Sequence, residues 1–143
     1  MNKRLVNTVM NLDLASKIIH ALVRKSKRKH LKMVIAVVDA GANLVAFSRM
    51  DGSFLGSVDI AIKKAKTAAL FNTRTGDLGA KSQPGKSLYG IEASNQGLIT
   101  FDGGLPITFD YELIGGVGVS GDTVENDHAI AKIAQGCVYV SRC

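Results

Sequence analysis

Residues 116–121 read Gly-Val-Gly-Val-Ser-Gly, a G-x-G-x-x-G run that follows Leu113-Ile114 and opens onto a helical pattern. That spacing marks a turn able to cradle a dinucleotide pyrophosphate at a helix N-terminus. The full motif also needs a second parallel strand, with an acid at its end to hold the ribose. Here the helical pattern runs from Thr123 to Cys143 with no strand after it. Asp122 and Glu125 crowd the place a pyrophosphate would take. The reading is therefore no nucleotide cofactor. Gly115, Gly116 and Gly118 instead mark a strand on which a ligand, a helix or a neighbouring subunit comes close.

Other spacings assemble no catalytic constellation. Ser120 lies in Gly-Val-Ser-Gly and not in G-x-S-x-G, and Gly85-Lys86-Ser87 lacks the upstream glycine of a phosphate loop. Asp39, Asp51, Asp59 and Glu92 are available for acid–base work, but no spacing pairs them. Asp39 and Asp51 read as turn residues. Cys137 and Cys143 match no zinc pattern. Cys137 reads as a small buried hydrophobe and Cys143 as an incidental terminal residue. Of the histidines, His20 lies near the apolar face of a helix, His30 follows a basic run and reads as solvated, and His128 carries no expectation.

The elements that must position these residues follow from periodicity. Leu14, Ile18, Ala21 and Leu22 share one face of a helix from about Leu12 to Lys29, with Asn11 as its N-cap. Met33 to Asp39 and Leu44 to Arg49 read as a hairpin of two strands around Asp39-Ala40-Gly41-Ala42-Asn43. A second helix spans Ser57 to Phe71, with an alanine-rich stripe inward and Asp59, Lys63, Lys64 and Lys66 mainly outward. Thr73 to Asn95 is an irregular loop, of a length that is usually functional or holds short helices. Leu98–Phe101, Leu105–Phe109 and Glu112–Val119 read as three antiparallel strands. Asp122 with Glu125 resembles a capping box for the last helix. The order α-β-β-α-loop-β-β-β-α is that of an α+β fold with a mainly antiparallel, five-stranded sheet.

Composition narrows the class. The 143 residues, 46% apolar and 21% charged, suit a single domain over 1–143, with 1–10 as a flexible or partly ordered N-terminal segment. No apolar run is long enough for a membrane span, and the start lacks a signal-peptide core, so the expectation is a cytoplasmic protein off the membrane. The net charge of +6 comes largely from Arg24, Lys25, Lys27, Arg28, Lys29 and Lys32. No aromatic precedes Val45, so these cations have no base-stacking partners. They read as a solvated helix end that complements the helix dipole, with no nucleic-acid partner expected.

Several ordered motifs together carry a resemblance. Val37-Val38-Asp39-Ala40-Gly41-Ala42-Asn43-Leu44-Val45, Arg49-Met50-Asp51-Gly52, Asp59-Ile60-Ala61-Ile62-Lys63-Lys64-Ala65 and residues 115–121 resemble the GlcG/HbpS family, the haem-degrading domain. Gln83 to Ile91 and Thr123-Val124-Glu125 look most like the branch found as the C-terminal domain of PduO-type proteins. The resemblance implies a profilin-like sandwich, a homo-oligomer, and a ligand that is haem or a related tetrapyrrole. It implies His20 as axial ligand. Arg49 and Lys63 would meet propionates, and the long loop with Tyr89 would fold over a pocket floored by Gly115, Gly116 and Gly118. Catalysis is not expected. The alternative is a ligand-free structural protein that assists a diol or glycerol dehydratase or a microcompartment.

Overall fold

The computed structural model describes residues 9–139 and 143. Of the N-terminal segment 1–10, residues 1–8 lie outside the described residues, and Met10 is packed in the core. The order is α1 (Leu12–Arg28), β1 (Val34–Asp39), β2 (Leu44–Arg49), α2 (Gly56–Phe71), α3 (Thr75–Lys81), β3 (Gly104–Phe109), β4 (Glu112–Ser120) and α4 (Val124–Ala131). Short 3₁₀ segments cover Ile91–Ala93 and Lys132–Val138.

The sheet has four strands in the order β2-β1-β4-β3, all antiparallel. The expected fifth strand at Leu98–Phe101 is not formed. The Leu98 N–H donates to the Glu92 carbonyl at 2.9 Å and the Ile99 N–H to the Thr67 hydroxyl at 3.2 Å, so the first two donors of this stretch are taken outside any ladder. The irregular region contains α3 and the first 3₁₀ turn.

Side-chain alternation splits the core into two layers. Ile35, Val37, Val117 and Val119 face α1 and the C-terminal helices, while Val34, Ala36 and Val38 face α2. Asn11 caps α1 by accepting the Leu14 N–H at 2.8 Å. The cap of α4 is Thr123, which accepts the Asn126 N–H, and not Asp122 as the capping-box reading has it. Asp39 holds its turn by accepting the Gly41 and Asn43 N–H groups, each at 2.9 Å. Cys143, read as incidental, is disulfide-bonded to Cys137, which is buried in the last turn of the terminal 3₁₀ segment.

The β3 edge is closed by side chains. Thr75 Oγ1 accepts the Gly104 N–H and donates to its carbonyl, and the Gln135 amide does the same for Thr108, its Oε1 accepting the N–H at 2.9 Å and its Nε2 donating to the carbonyl at 2.7 Å. Pro106, between them, has no N–H to offer. An edge with its polar groups taken cannot template a further strand.

The glycines of β4 seat α2. A Cβ on Gly118 would run into the Ala61 carbonyl and lie 2.5 Å from the Ala65 nitrogen. One on Gly116 would lie 2.6 Å from the Ala65 carbonyl. On Gly115 it would meet the Val38 carbonyl and Met10. Of the three occupants left open by the sequence, the helix is the one that lies on this strand. The loop carrying Tyr89 does not cover it.

Candidate functional site

Ser16, His20, Arg24 and Lys27 follow one another at i, i+4, i+8 and i+11, so they form a row along α1. Ile19 and Val23 flank the row, and Ala46, Phe47 and Ser48 of β2 stand opposite. Between helix and strand lies a groove of about 520 Å³, within the usual range for small-molecule sites. Its walls are apolar through Ile19, Val23, Ala46 and Phe47. Its polar groups are one exposed imidazole, one guanidinium, one ammonium and the hydroxyls of Ser16 and Ser48. That set can ligate a transition-metal centre through the imidazole and pair with carboxylates through the cations, beside apolar walls.

The structure brings few of the expected site residues together. His20 is exposed on the groove. Arg49 is exposed at the end of β2, in register with Val34, and does not wall the groove. Lys63 pairs with Asp59 at 3.0 Å on α2. Tyr89 is exposed on the turn whose N–H groups bond back to Lys81 and Lys86. Gly115, Gly116 and Gly118 are interior packing positions. Arg24, Lys27 and Phe47 join His20 instead. The signal for Arg24 and Lys27 was their i+4 and i+7 spacing from His20 inside a basic run read only as a helix end, and Phe47 on β2 had no local signal.

A second constellation was not legible at all. Lys64, read as facing outward, is fully buried. Its ammonium donates to the Val119 carbonyl at 2.9 Å and to Asp127 Oδ2 at 3.0 Å, and lies 5.0 Å from the centre of the Phe101 ring. Asp127 Oδ1 accepts the Asp122 N–H at 3.0 Å. Gly103 leaves the room for this ammonium, since a Cβ there would lie 2.5 Å from Nζ. Burial pulls the Lys64 amine below its ordinary range against the attraction of Asp127. Burial likewise lifts the Asp127 carboxyl, against the attraction of Lys64. The pair ties α2 to β4 and α4.

Next to it, Arg74 grips Asp102 with two parallel bonds of 2.8 and 2.7 Å. The Arg74 hydrogen bond holds the Asp102 carboxyl below its usual range. An acid with a depressed folded-state pKa contributes stability above its unfolded value of 3.8, and loses it as pH falls through the folded value. The Asp102→Asn variant is therefore expected to be less stable than wild type by about 0.5–1 kcal/mol at neutral pH, because the partly exposed pair is screened by solvent. That difference should shrink as pH drops below 3.8. Urea midpoints measured from neutral to acid pH check both the size and the window, and a gap that stays constant into acid overturns the assignment.

Among the described residues, no group of three or more His, Cys, Asp or Glu is arranged to hold a metal ion, and no helix is long and apolar enough to cross a membrane.

The family model for the haem-degrading protein HbpS-like matches residues 10–135. The chain belongs to the HbpS-like family. An uncharacterized 15.0 kDa protein from the dhaT–dhaS intergenic region of Citrobacter freundii is 39% identical over 138 residues, covering 96% of this chain and 97% of that one. The corrinoid adenosyltransferase PduO of Salmonella typhimurium is 39% identical over 121 residues, covering 84% of this chain. The chain spans only 36% of that PduO's length. Among solved structures, the PduOC:haem complex superposes with a TM-score of 0.87 at 35% identity, covering 92% of this chain and 96% of that one. The HbpS-like fold is thus shared over nearly the whole chain.

Proposed function

We propose that this HbpS-like chain is a small-molecule-binding accessory protein whose α1–β2 groove takes haem or a related tetrapyrrole. The observation that carries the reading is the exposed His20 imidazole in an apolar-walled groove, with Arg24 one helical turn away. His20 would supply the axial ligand. Ile19, Val23, Ala46 and Phe47 would cover the macrocycle, and Arg24 and Lys27 would pair with its propionates. When bound, the haem iron would supply redox and ligand-exchange chemistry. The chain's own part is to ligate, orient and exclude water, and no catalytic step is proposed. A PduO fragment of the same fold that is solved as a haem complex supports the reading.

Titration of the purified protein with haemin tests it. Wild type is expected to give a saturable Soret shift. His20→Ala should lose the histidine-ligated spectrum and weaken binding by about tenfold or more, by analogy with other lost metal-site contacts. Reversing Arg24 and Lys27 to Glu should weaken binding while leaving the ligated spectrum in place. No saturable shift in wild type sinks the reading, and an unchanged spectrum in His20→Ala removes His20 from the site.

A second reading is a ligand-free homo-oligomer that assists a dehydratase or microcompartment system. Kinship with PduO and with the dhaT–dhaS protein favours it. Native mass spectrometry of protein purified from cells separates the two, since retained tetrapyrrole supports the first and an empty assembly the second.

A further inference from the structure

The tetrapyrrole groove lies at β2, one edge of the sheet, and β3 is the other edge. A second cleft, of about 480 Å³, opens along β3. Leu105, Ile107 and Val117 floor it. The end of α4 and the terminal 3₁₀ segment set Ala131 and Ala134 against that floor, and these small side chains leave the space. Both walls are pinned to the strand, α3 by Thr75 on Gly104 and the 3₁₀ segment by Gln135 on Thr108. The cleft is therefore open before anything enters it, as small-molecule sites usually are.

Three of its lining side chains are charged: Arg74, Asp77 and Lys132. Arg74 uses Nε and Nη2 on Asp102, which fixes the guanidinium plane and leaves Nη1 for a further acceptor. Asp77 is exposed in the first turn of α3, and Lys132 is exposed at the start of the 3₁₀ segment. Neither makes an ion pair among the described residues. All three charges act on the His128 imidazole, one helical turn before Lys132, so they converge on one part of the cleft. The imidazole itself adds little charge at neutral pH, because burial and then Arg74 hold it below its ordinary range. Asp102 already neutralises Arg74. The rim thus offers one unpaired cation and one unpaired acid beside an apolar floor.

We propose that this cleft binds a small zwitterion with an apolar tail, an α-amino acid of the leucine type. The carboxylate lies between Lys132 and Arg74 Nη1, the ammonium meets Asp77, and the tail covers Leu105, Ile107 and Val117. Other occupants fit less of the site. A hydrocarbon leaves both charges against an apolar surface, and a simple carboxylate leaves Asp77 without a partner. A dianion gains little, because Asp77 and Asp102 balance the two cations. An added strand is excluded, since Thr75 and Gln135 hold the edge groups on either side of Pro106.

The test uses the full chain free of haem, so its outcome is independent of the tetrapyrrole reading. The methyl signals of Leu105, Ile107 and Val117 are followed by NMR during titration with three probes. These are L-leucine, 4-methylpentanoate (leucine without its amine) and 3-methylbutylamine (leucine without its carboxylate). Leucine is expected to shift the three methyls saturably, and each truncated probe to bind at least about tenfold more weakly. Asp77→Asn should erase most of the preference for leucine over 4-methylpentanoate, and Lys132→Gln most of that over 3-methylbutylamine. Both side chains are exposed, so both variants should keep the wild-type urea midpoint. No saturable shift of these methyls with leucine, methionine or phenylalanine overturns the proposal. So do truncated probes that bind as well as leucine, or variants that leave both preferences unchanged.

Discussion

Replacing Asp127 by Ala is expected to cost about 3–5 kcal/mol of folding stability, the usual toll for leaving a buried charge unpaired. The Lys64 side chain is 0% exposed, and Asp127 is its sole carboxylate partner at ion-pair distance among the described residues. Without it the ammonium keeps only the Val119 carbonyl and the Phe101 ring. Burial opposes the charged form of both groups in the wild-type pair, and a buried ion pair is often no better than apolar side chains of similar volume. Lys64→Met combined with Asp127→Leu should therefore recover most of the loss, ending within about 1–2 kcal/mol of wild type. The pH dependence has a definite sign. In Asp127→Ala the folded-state amine falls further below 10.5, while the unfolded amine stays there. The unfolded state then holds the extra proton, so stability rises with pH through the window that ends at 10.5. Urea unfolding of the three proteins at neutral and alkaline pH checks this. A loss under about 1 kcal/mol that does not respond to pH would place Lys64 in contact with water.

This pair also shows where sequence reading stops. β1 was legible as a short apolar, β-branched run buried on both faces, and β2 from its alternation, both of which are local patterns. The α1 helix was legible from its apolar stripe and Asn11. Lys64 was not, because the carboxylate that permits its burial lies 63 residues away. Its spacing from Ala61 and Ala68 puts it on the buried stripe of α2, unlike Lys63, which pairs one helical turn back with Asp59, but the charge argues against burial until Asp127 is placed beside it. Leu98–Phe101 has the composition of a strand, yet the Glu92 carbonyl and the Thr67 hydroxyl take the Leu98 and Ile99 N–H groups, and the contact with Thr67 is a tertiary fact with no local trace. His20 could be singled out. That Arg24, Lys27 and Phe47 share its groove required knowing that β2 packs beside α1.

Gly118→Ala, a change of a single methyl, is expected to cost about 3 kcal/mol or more, at the upper end of overpacking losses. The new Cβ would meet backbone, the Ala61 carbonyl and the Ala65 nitrogen, and backbone cannot rotate aside as a side chain can. Relief would require α2 to lift off β4. Lys64 rides on α2, and its Cβ is itself 3.0 Å from the added methyl, so the displacement would also stretch the bonds to Val119 and Asp127. The loss is thus coupled to the ion pair. In the background of Lys64→Met with Asp127→Leu, the same glycine change should cost less. Gly56→Ala is the matched control. Nothing lies within 4 Å of a Cβ at that position in the first turn of α2, so the change should be neutral or stabilise by up to about 1 kcal/mol. If Gly118→Ala and Gly56→Ala unfold at the same urea concentration, the helix does not rest on this strand. If they separate as expected, glycines spaced like a phosphate-binding turn are here a seat for a helix, and the close approach they permit is what delivers the Lys64 ammonium to Asp127.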